Sequence, residues 1–98
     1  MFAIVTRRHM NSEREQETRE RAETDFFPKL RHAPGFVSRA VVRGDDGITT
    51  GTAVRESQEQ VEAFRAEAEQ WGRTLEESGH QLESTTRGEV LAHITPAS

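Results

Sequence analysis

Residues 36–55 read FVSRAVVRGDDGITTGTAVR. Two runs rich in β-branched residues, Phe36 to Arg43 and Ile48 to Arg55, flank Gly44-Asp45-Asp46-Gly47, a composition typical of a tight turn. The stretch therefore predicts a β-hairpin. Gly51 in the second run indicates a bulge or a close approach to the backbone.

The residues before the hairpin predict a strand followed by a helix. Phe2 to Arg7 is a short run with high strand propensity. Ser12 and Glu15 have the spacing of a capping box, so we expect the helix to begin there. Pro28 removes a helical hydrogen bond, which predicts a kink or a tightened last turn near Phe27. The predicted packing face of this helix consists of Ala22, Phe26, Phe27 and Leu30.

The residues after the hairpin predict a second helix and a last strand. Ser57 and Gln60 repeat the capping-box spacing. Apolar residues then follow at helical intervals: Val61, Phe64, Ala68, Trp71 and Leu75. Gly79 is a natural helix stop. We expect a loop through residues 81–87 and a final strand over residues 89–94.

The order strand, helix, hairpin, helix, strand predicts one α+β domain over residues 1–98 with the ferredoxin-like βαββαβ arrangement. Its four-stranded antiparallel sheet would carry both helices on one face. The first strand is apolar on both faces, because Phe2 and Ile4 alternate with Ala3 and Val5. We therefore expect the second face to pack against a second copy, giving a homodimeric α+β barrel.

Composition limits the possible partners. The chain has 33% apolar and 31% charged residues, and its net charge of -4 arises from acidic and basic residues that are mixed along the sequence. This pattern lacks the basic footprint of a nucleic-acid-binding protein. The apolar run Phe2 to Val5 is too short for a signal sequence or a membrane span. With no cysteine, we expect a cytoplasmic protein without membrane contact.

Several short segments resemble one known family. Ala33-Pro34-Gly35-Phe36 before the hairpin, the Gly-Asp-Asp-Gly turn, and a strand ending at Glu56-Ser57 before Gln58-Glu59-Gln60-Val61 are similar to the dimeric α+β barrel superfamily. The likeness is greatest to the antibiotic biosynthesis monooxygenase-like domains. It implies an apolar cleft between sheet and helices, in which an electron-rich aromatic substrate activates oxygen without a cofactor.

The sequence departs from the signatures of that superfamily at several positions. The monooxygenase-like branch often has Trp at the end of the third strand and His early in the second helix, whereas this chain has Val54-Arg55 and Ala63-Phe64. The haem-degrading branch uses Asn, Trp and His. Asn11, Trp71 and His80 are present, but Asn11 lies beyond the strand and Trp71 lies too late in its helix. Haem binding or degradation is therefore the less favoured reading.

Other chemistries lack their usual motifs. The sequence contains no dinucleotide, P-loop, zincin or nucleophile-elbow motif. Glu76 or Glu77 with His80 would give a metal at most two ligands of the three or four that it needs. Asp45 and Asp46 are more typical of a turn. We expect neither a metal nor a cofactor.

The candidate site residues are aromatic rings and two histidines. The expected walls of the cleft are Trp71, Phe64, Phe26 and Phe27, with His93 or His9 as proton carrier. Each is also typical of an ordinary role, Trp71 in the core and His93 in a core or interface. Arg7 and Arg8, with His9 at the end of the first strand, could meet an anionic substrate.

Two functional classes follow from these observations. The first is a non-catalytic homodimer that binds a small apolar or aromatic ligand, which is favoured by the low aromatic content and the lack of convergent ionisable residues. The alternative is a cofactor-independent monooxygenase that acts on an aromatic, polyketide-like substrate. An open cleft would permit either class, whereas a cleft filled by its own side chains would exclude catalysis.

Overall fold

The computed structural model describes residues 1–97 and contains one four-stranded antiparallel sheet in the order β2-β3-β1-β4. The strands are β1 (Phe2–His9), β2 (Phe36–Arg43), β3 (Ile48–Arg55) and β4 (Gln81–Glu89). The helices are α1 (Glu15–Arg21), α2 (Phe27–Arg31), α3 (Gln58–Ala63) and α4 (Arg65–Glu77). This strand order confirms the predicted α+β, ferredoxin-like fold.

The predicted hairpin is confirmed at both strands and at the turn. The Gly44 N–H donates to the Ile48 carbonyl at 2.8 Å, and the Asp46 carboxylate accepts the Ile48 N–H at 3.0 Å. Gly47 has a φ of 80°, in the left-handed region that favours glycine. Asp46 therefore acts as a turn residue, as its position in the sequence indicates.

The predicted last strand over residues 89–94 is wrong. The strand that pairs with β1 is β4, from Gln81 to Glu89. Beyond β4, the Val90 N–H donates to the Met1 carbonyl at 2.9 Å. Residues 91–97 have no regular structure. The sequence did not predict β4 because this edge strand consists mostly of exposed polar residues. It therefore lacks the alternation of apolar and polar residues that indicates a strand.

The first helix differs from expectation at its start and its middle. Asn11, not Ser12, caps it: the Asn11 side chain accepts the Glu13 N–H, and a 3-10 turn over Ser12–Arg14 precedes α1. Near Pro28 the helix widens and does not tighten. The π turn Ala22–Phe26 joins α1 to α2, and Phe27 N–H bonds to the Ala22 carbonyl five residues back. Pro28 follows at the start of α2, where its missing N–H is tolerated.

The second helix is two helices. Ser57 caps α3 as predicted, accepting the Gln60 N–H at 3.4 Å. The helix breaks at Phe64, whose φ of -97° and ψ of 3° lie outside the helical region, and α4 begins at Arg65. Gly79, with a φ of 84°, ends α4 as expected. Of the predicted apolar stripe, Val61, Phe64, Trp71 and Leu75 are buried or half-buried, whereas Ala68 is exposed.

The two faces of the sheet have different neighbours. On the helix-facing side, the Arg39 guanidinium lies 5.6 Å from the Phe26 ring, and Arg87 pairs with Glu62 of α3. A bulge between Phe36 and Ser38 moves Phe36 onto this side, whereas strict alternation along β2 would place it with Ala40 and Val42. The opposite side, here named the open face, carries Ala3, Val5, Ala40, Val42, Ile48, Thr50, Thr52 and Val54.

The apolar core is small. Among residues 1–97, four apolar side chains are fully buried: Ala22, Phe26, Leu30 and Val61. Few side chains therefore fill the space between the helices and the sheet.

No helix in this range is both long enough and apolar enough to span a membrane.

Candidate functional site

A large cleft lies between the helices and the sheet. Its volume is about 790 Å³, within the range usual for small-molecule pockets. The apolar part of the lining comes from Met10, Ala22, Phe27, Leu30, Phe36, Val41, Trp71 and Leu75. The polar part comes from Thr6, Arg8, Glu15, Thr18, Arg19, Glu23, Arg31, Ser38, Arg39, Arg43 and Thr49, with Gly51 on the floor. The cleft is thus open and not filled by its own side chains.

Stacked aromatic rings form one wall of the cleft. The rings of Trp71 and Phe26 stack with 5.1 Å between centroids and 5° between planes. Phe26 is 6% exposed and also contacts Phe27 and Phe64, at 6.2 and 6.0 Å between centroids. Trp71 therefore rests on an immobile support and presents its remaining surface to the cleft. The π turn contributes to this wall, because Phe26 lies inside it and Phe27 follows it.

The predicted aromatic residues occupy three different places. Trp71 and Phe27 line the cleft. Phe26 lies behind Trp71 in the core. Phe64 lies beyond Phe26 and lines a smaller cavity of about 440 Å³ beside Pro34.

The predicted histidines do not line the cleft. His93 is exposed in the segment that follows β4, and His9 is exposed at the end of β1, 3.7 Å from Glu83. His80 is fully buried below the cleft: its Nδ1 accepts the Asn11 N–H at 2.9 Å, and its Nε2 lies 2.6 Å from Thr18 Oγ1. Both of its ring nitrogens are engaged, so His80 offers no free ligand atom to a haem iron or another metal. Residues 1–97 contain no group of three metal-ligating side chains.

Three arginines from the sheet give the cleft a basic floor. Arg8 Nη1 donates to the His80 carbonyl at 3.1 Å. Burial lowers the pKa of the Arg8 guanidinium, and the nearby Glu76 partly opposes this effect. Arg43 pairs with Glu15, so that β2 and α1 meet at the mouth of the cleft. Arg39 lies four residues before Arg43 on β2, opposite Ala53 of β3. Of the predicted pair Arg7 and Arg8, only Arg8 lines the cleft, because adjacent residues of a strand face opposite sides.

Arg39 was missed as a site residue by sequence reasoning. Its Nε is buried without a hydrogen-bond partner, and burial lowers the pKa of its guanidinium. The sequence did offer one indication: Arg39 and Val41 lie two residues apart on a strand, so both face the helices. A second signal was Gly51 on the neighbouring strand: a Cβ there would lie 3.2 Å from Arg39 Nη2, which confirms the expected close approach at this glycine.

Comparison with known proteins shows the fold but no closer relationship. No family model matches this sequence, and no curated protein matches it. A solved structure from Deinococcus radiodurans, described as a "putative antibiotic biosynthesis monooxygenase", is similar with a TM-score of 0.77 and 14% identity, covering 100% of both chains. The Streptomyces coelicolor monooxygenase from the gene ActVA-Orf6, solved with the ligand nanaomycin D, has a TM-score of 0.73 and 19% identity, covering 98% of this chain and 92% of its own. The chain therefore has the fold of the antibiotic biosynthesis monooxygenases.

Proposed function

We propose that this protein binds a small aromatic molecule in the cleft between helices and sheet. The observation that carries the proposal is an open volume of about 790 Å³ bordered by a tryptophan that stacks on a buried phenylalanine. A ligand-sized space with an aromatic wall and with polar groups placed beside it is suited to a small molecule. Trp71 and Leu75 border this space from α4, and Thr49 and Gly51 border it from β3.

Cofactor-independent oxygenation is the second candidate, favoured by the names of the two solved proteins that share the fold. In such a reaction the substrate supplies the electrons: an anthrone and O2 give an anthraquinone and water, with a CH2 group oxidised to C=O. The protein would exclude water and hold the ring system in place. No imidazole of residues 1–97 lines the cleft, so proton transfer would fall to Glu15, Glu23 or bound water.

Self-association through the open face forms part of the same proposal. This face carries alanine, valine, isoleucine and threonine together with Arg7 and His9, and no helix of residues 1–97 covers it. It lies across the sheet from the cleft, so two copies can meet there with both clefts accessible. A self-complementary apolar patch is most simply buried in a two-fold dimer.

Calorimetric titration with 2-naphthol tests the binding proposal. We expect saturable binding to the wild-type protein. Thr49→Phe, which projects a ring from the floor into the cleft, should remain folded and lower the affinity at least about 10-fold, because it removes the volume that the ligand needs. Ala66→Phe adds the same ring at an exposed position of α4 outside the cleft lining and should bind as the wild type does.

Equal binding by Thr49→Phe and wild type would contradict the assignment of the site. Oxygen uptake with anthrone then separates the two candidates. Turnover above the spontaneous rate that is lost in Thr49→Phe would support oxygenation, and uptake equal to that in buffer would leave binding alone.

A further inference from the structure

We propose that Arg39 is an anion-binding residue and that the aromatic ligand carries an ionised oxygen, which the Arg39 guanidinium holds. This inference rests on the proposed function and specifies its ligand class. It names a charged group that no comparison with another protein assigns. Four features of the structure support it.

The first feature is the missing counter-ion. Six of the twelve arginines are paired with a nearby carboxylate, as Arg7 is with Asp46 and Arg65 with Glu62. Within residues 1–97, no hydrogen bond or ion pair joins Arg39 to a carboxylate, and its Nε is buried without a partner. A guanidinium keeps its charge at any physiological pH, so this charge is left uncompensated.

The second feature is the lack of any acid in reach within the cleft lining. Two carboxylates border the cleft, Glu15 and Glu23. Glu15 is engaged by Arg43 at the mouth, and Glu23 is exposed on the π turn. Neither carboxylate of the lining is paired with Arg39, so a bound anion would supply the compensating charge.

The third feature is a space kept clear around the guanidinium. Gly51 is buried on the strand beside Arg39, and a Cβ at position 51 would lie 3.2 Å from Arg39 Nη2 and 3.2 Å from Thr6 Oγ1. The guanidinium and the threonine hydroxyl thus both border the space above the bare backbone of Gly51. Two donors beside one space on the floor of a cleft can serve an acceptor oxygen.

The fourth feature is the position of Arg39 relative to the aromatic wall. Its guanidinium lies 5.6 Å from the centroid of Phe26, whose ring stacks on Trp71. Trp71 and Arg39 both line the cleft, so a ligand that contacts Trp71 occupies the same cleft as the Arg39 guanidinium. The site would select a carboxylate, phenolate or enolate attached directly to an aromatic system, because charge-assisted hydrogen bonds are strongest when water is excluded.

Two matched pairs of probes test the inference by calorimetry. The first pair is 2-hydroxy-1,4-naphthoquinone, an acidic enol ionised at pH 7, and its neutral 2-methoxy ether. The second pair is 2-naphthoate and 2-naphthamide, which tests carboxylate against enolate as the source of the charge. The chain has no cysteine, so a quinone cannot alkylate a thiol.

We expect the wild-type protein to bind the anion of at least one pair about 10- to 100-fold more tightly than its neutral partner, the range of a charge-assisted hydrogen bond. In Arg39→Gln this preference should vanish while the neutral probe binds as before. Arg39→Lys should keep part of it, since it retains the charge. Arg73→Gln, an exposed site on α4 outside the cleft lining, should match the wild type.

Equal affinity for anion and neutral partner in the wild-type protein would overturn the inference, whether or not any variant folds. In that case the proposed aromatic site would stand. An anion preference that survives unchanged in Arg39→Gln would also overturn it and assign the charge to another arginine. If no aromatic probe binds, the proposed function fails together with this inference.

Discussion

Two arginines on the helix-facing side of the sheet have a buried nitrogen without a partner, and they serve different ends. Arg55 is 4% exposed, and its guanidinium lies 4.4 Å from the centroid of Phe64 and 5.8 Å from that of Phe36. Aromatic rings therefore enclose its charge, and it stabilises the packing of α3 on the sheet. Arg39 touches a ring on one side only and borders the open cleft on the other, where a ligand can reach it.

His80 gives the protein a pH-dependent stability. Burial lowers the pKa of its imidazole, and the nearby Arg8 and Arg14 lower it further, against the smaller opposing effects of Glu15 and Glu17. Because Nδ1 accepts the Asn11 N–H, the folded state holds a neutral ring. The unfolded chain binds the proton more readily, so the stability due to His80 is complete above about pH 6.5 and is lost as the pH falls from there through the lowered folded-state pKa.

Urea unfolding between pH 8 and pH 5 measures this effect. The midpoint of the wild-type protein should fall over that range by more than the midpoint of His80→Gln, which keeps hydrogen-bonding atoms but does not titrate. The difference between the two curves removes the contributions of all other titrating groups. Parallel curves would mean that protonation of His80 does not oppose folding.

The cap of the first helix is a residue that the sequence pattern did not predict. The Asn11 side chain accepts the Glu13 N–H at 3.2 Å and donates to the Ser78 carbonyl at 3.2 Å, so it joins the start of one helix to the end of another. Ser12, the residue that the capping-box spacing predicts, is exposed. Asn11→Ala should lower the free energy of unfolding by about 1–2 kcal/mol.

Ser12→Ala provides the matched control in the same denaturation experiment and should change the free energy of unfolding by less than about 0.5 kcal/mol. A larger loss of unfolding free energy in Ser12→Ala than in Asn11→Ala would show that Ser12 is the cap.

The contrast between β2–β3 and β4 shows which elements can be predicted from the sequence. The hairpin carries its information locally, in alternating residues around the Gly44–Gly47 turn. β4 is held by its pairing with β1, from Phe2↔Glu89 to His9↔Gln81, and its own residues are mostly polar. Long-range pairing of this kind leaves no periodic signal in the strand itself. The final strand was therefore misplaced by several residues, and His93 with it.

The Ala33-Pro34-Gly35-Phe36 motif supports the fold and does not contribute chemistry. Gly35 has a φ of 73°, and its carbonyl accepts the Glu56 N–H at 2.8 Å. The Gln60 side chain lies so close that a Cβ on Gly35 would overlap its Oε1. The motif thus ties the end of the first helical segment to the start of α3. A short motif can therefore be a good guide to the fold and carry no information on the reaction.

At the scale of the whole molecule, the single chain exposes more surface than its size requires. Its accessible surface is 6725 Å², whereas a folded monomer of 11.1 kDa has about 5,700 Å² on average. The excess of roughly 1,000 Å² is similar to the area that one partner buries in a standard interface. The exposed tail contributes to it, as Leu91 and Ile94 are 94% and 92% exposed. The open face and this tail are the surfaces that a second copy would cover.

Light scattering should give a mass twice 11.1 kDa. Val5→Glu places a charge at the centre of the open face and should shift the mass to that of one chain, because an unpaired carboxylate cannot be buried without cost. Val41→Glu makes the same change on the helix-facing side, where Val41 is already 53% exposed, and should leave the dimer intact. A wild-type protein with the mass of one chain would contradict the proposed dimer.

The candidate site was only partly accessible from the sequence. Trp71 and Phe27 were identified because helical periodicity places them on the inward face, and both line the cleft. Arg39 was missed because its proposed role depends on two features of the packing. Among residues 1–97 no carboxylate pairs with it, and Gly51 on the neighbouring strand leaves room beside its guanidinium. Such an absence results from the packing of β2, β3 and the π turn together and has no local sequence signature.

The central claim is that an aromatic molecule binds in the cleft against Trp71. The sequence has one tryptophan, so its indole N–H gives a single resolvable signal in a proton–nitrogen correlation spectrum of the isotopically labelled protein. Titration with 2-hydroxy-1,4-naphthoquinone should shift this signal in a saturable manner, together with the Nε–H signal of Arg39. An indole signal that stays in place while signals of the open face shift would contradict the account.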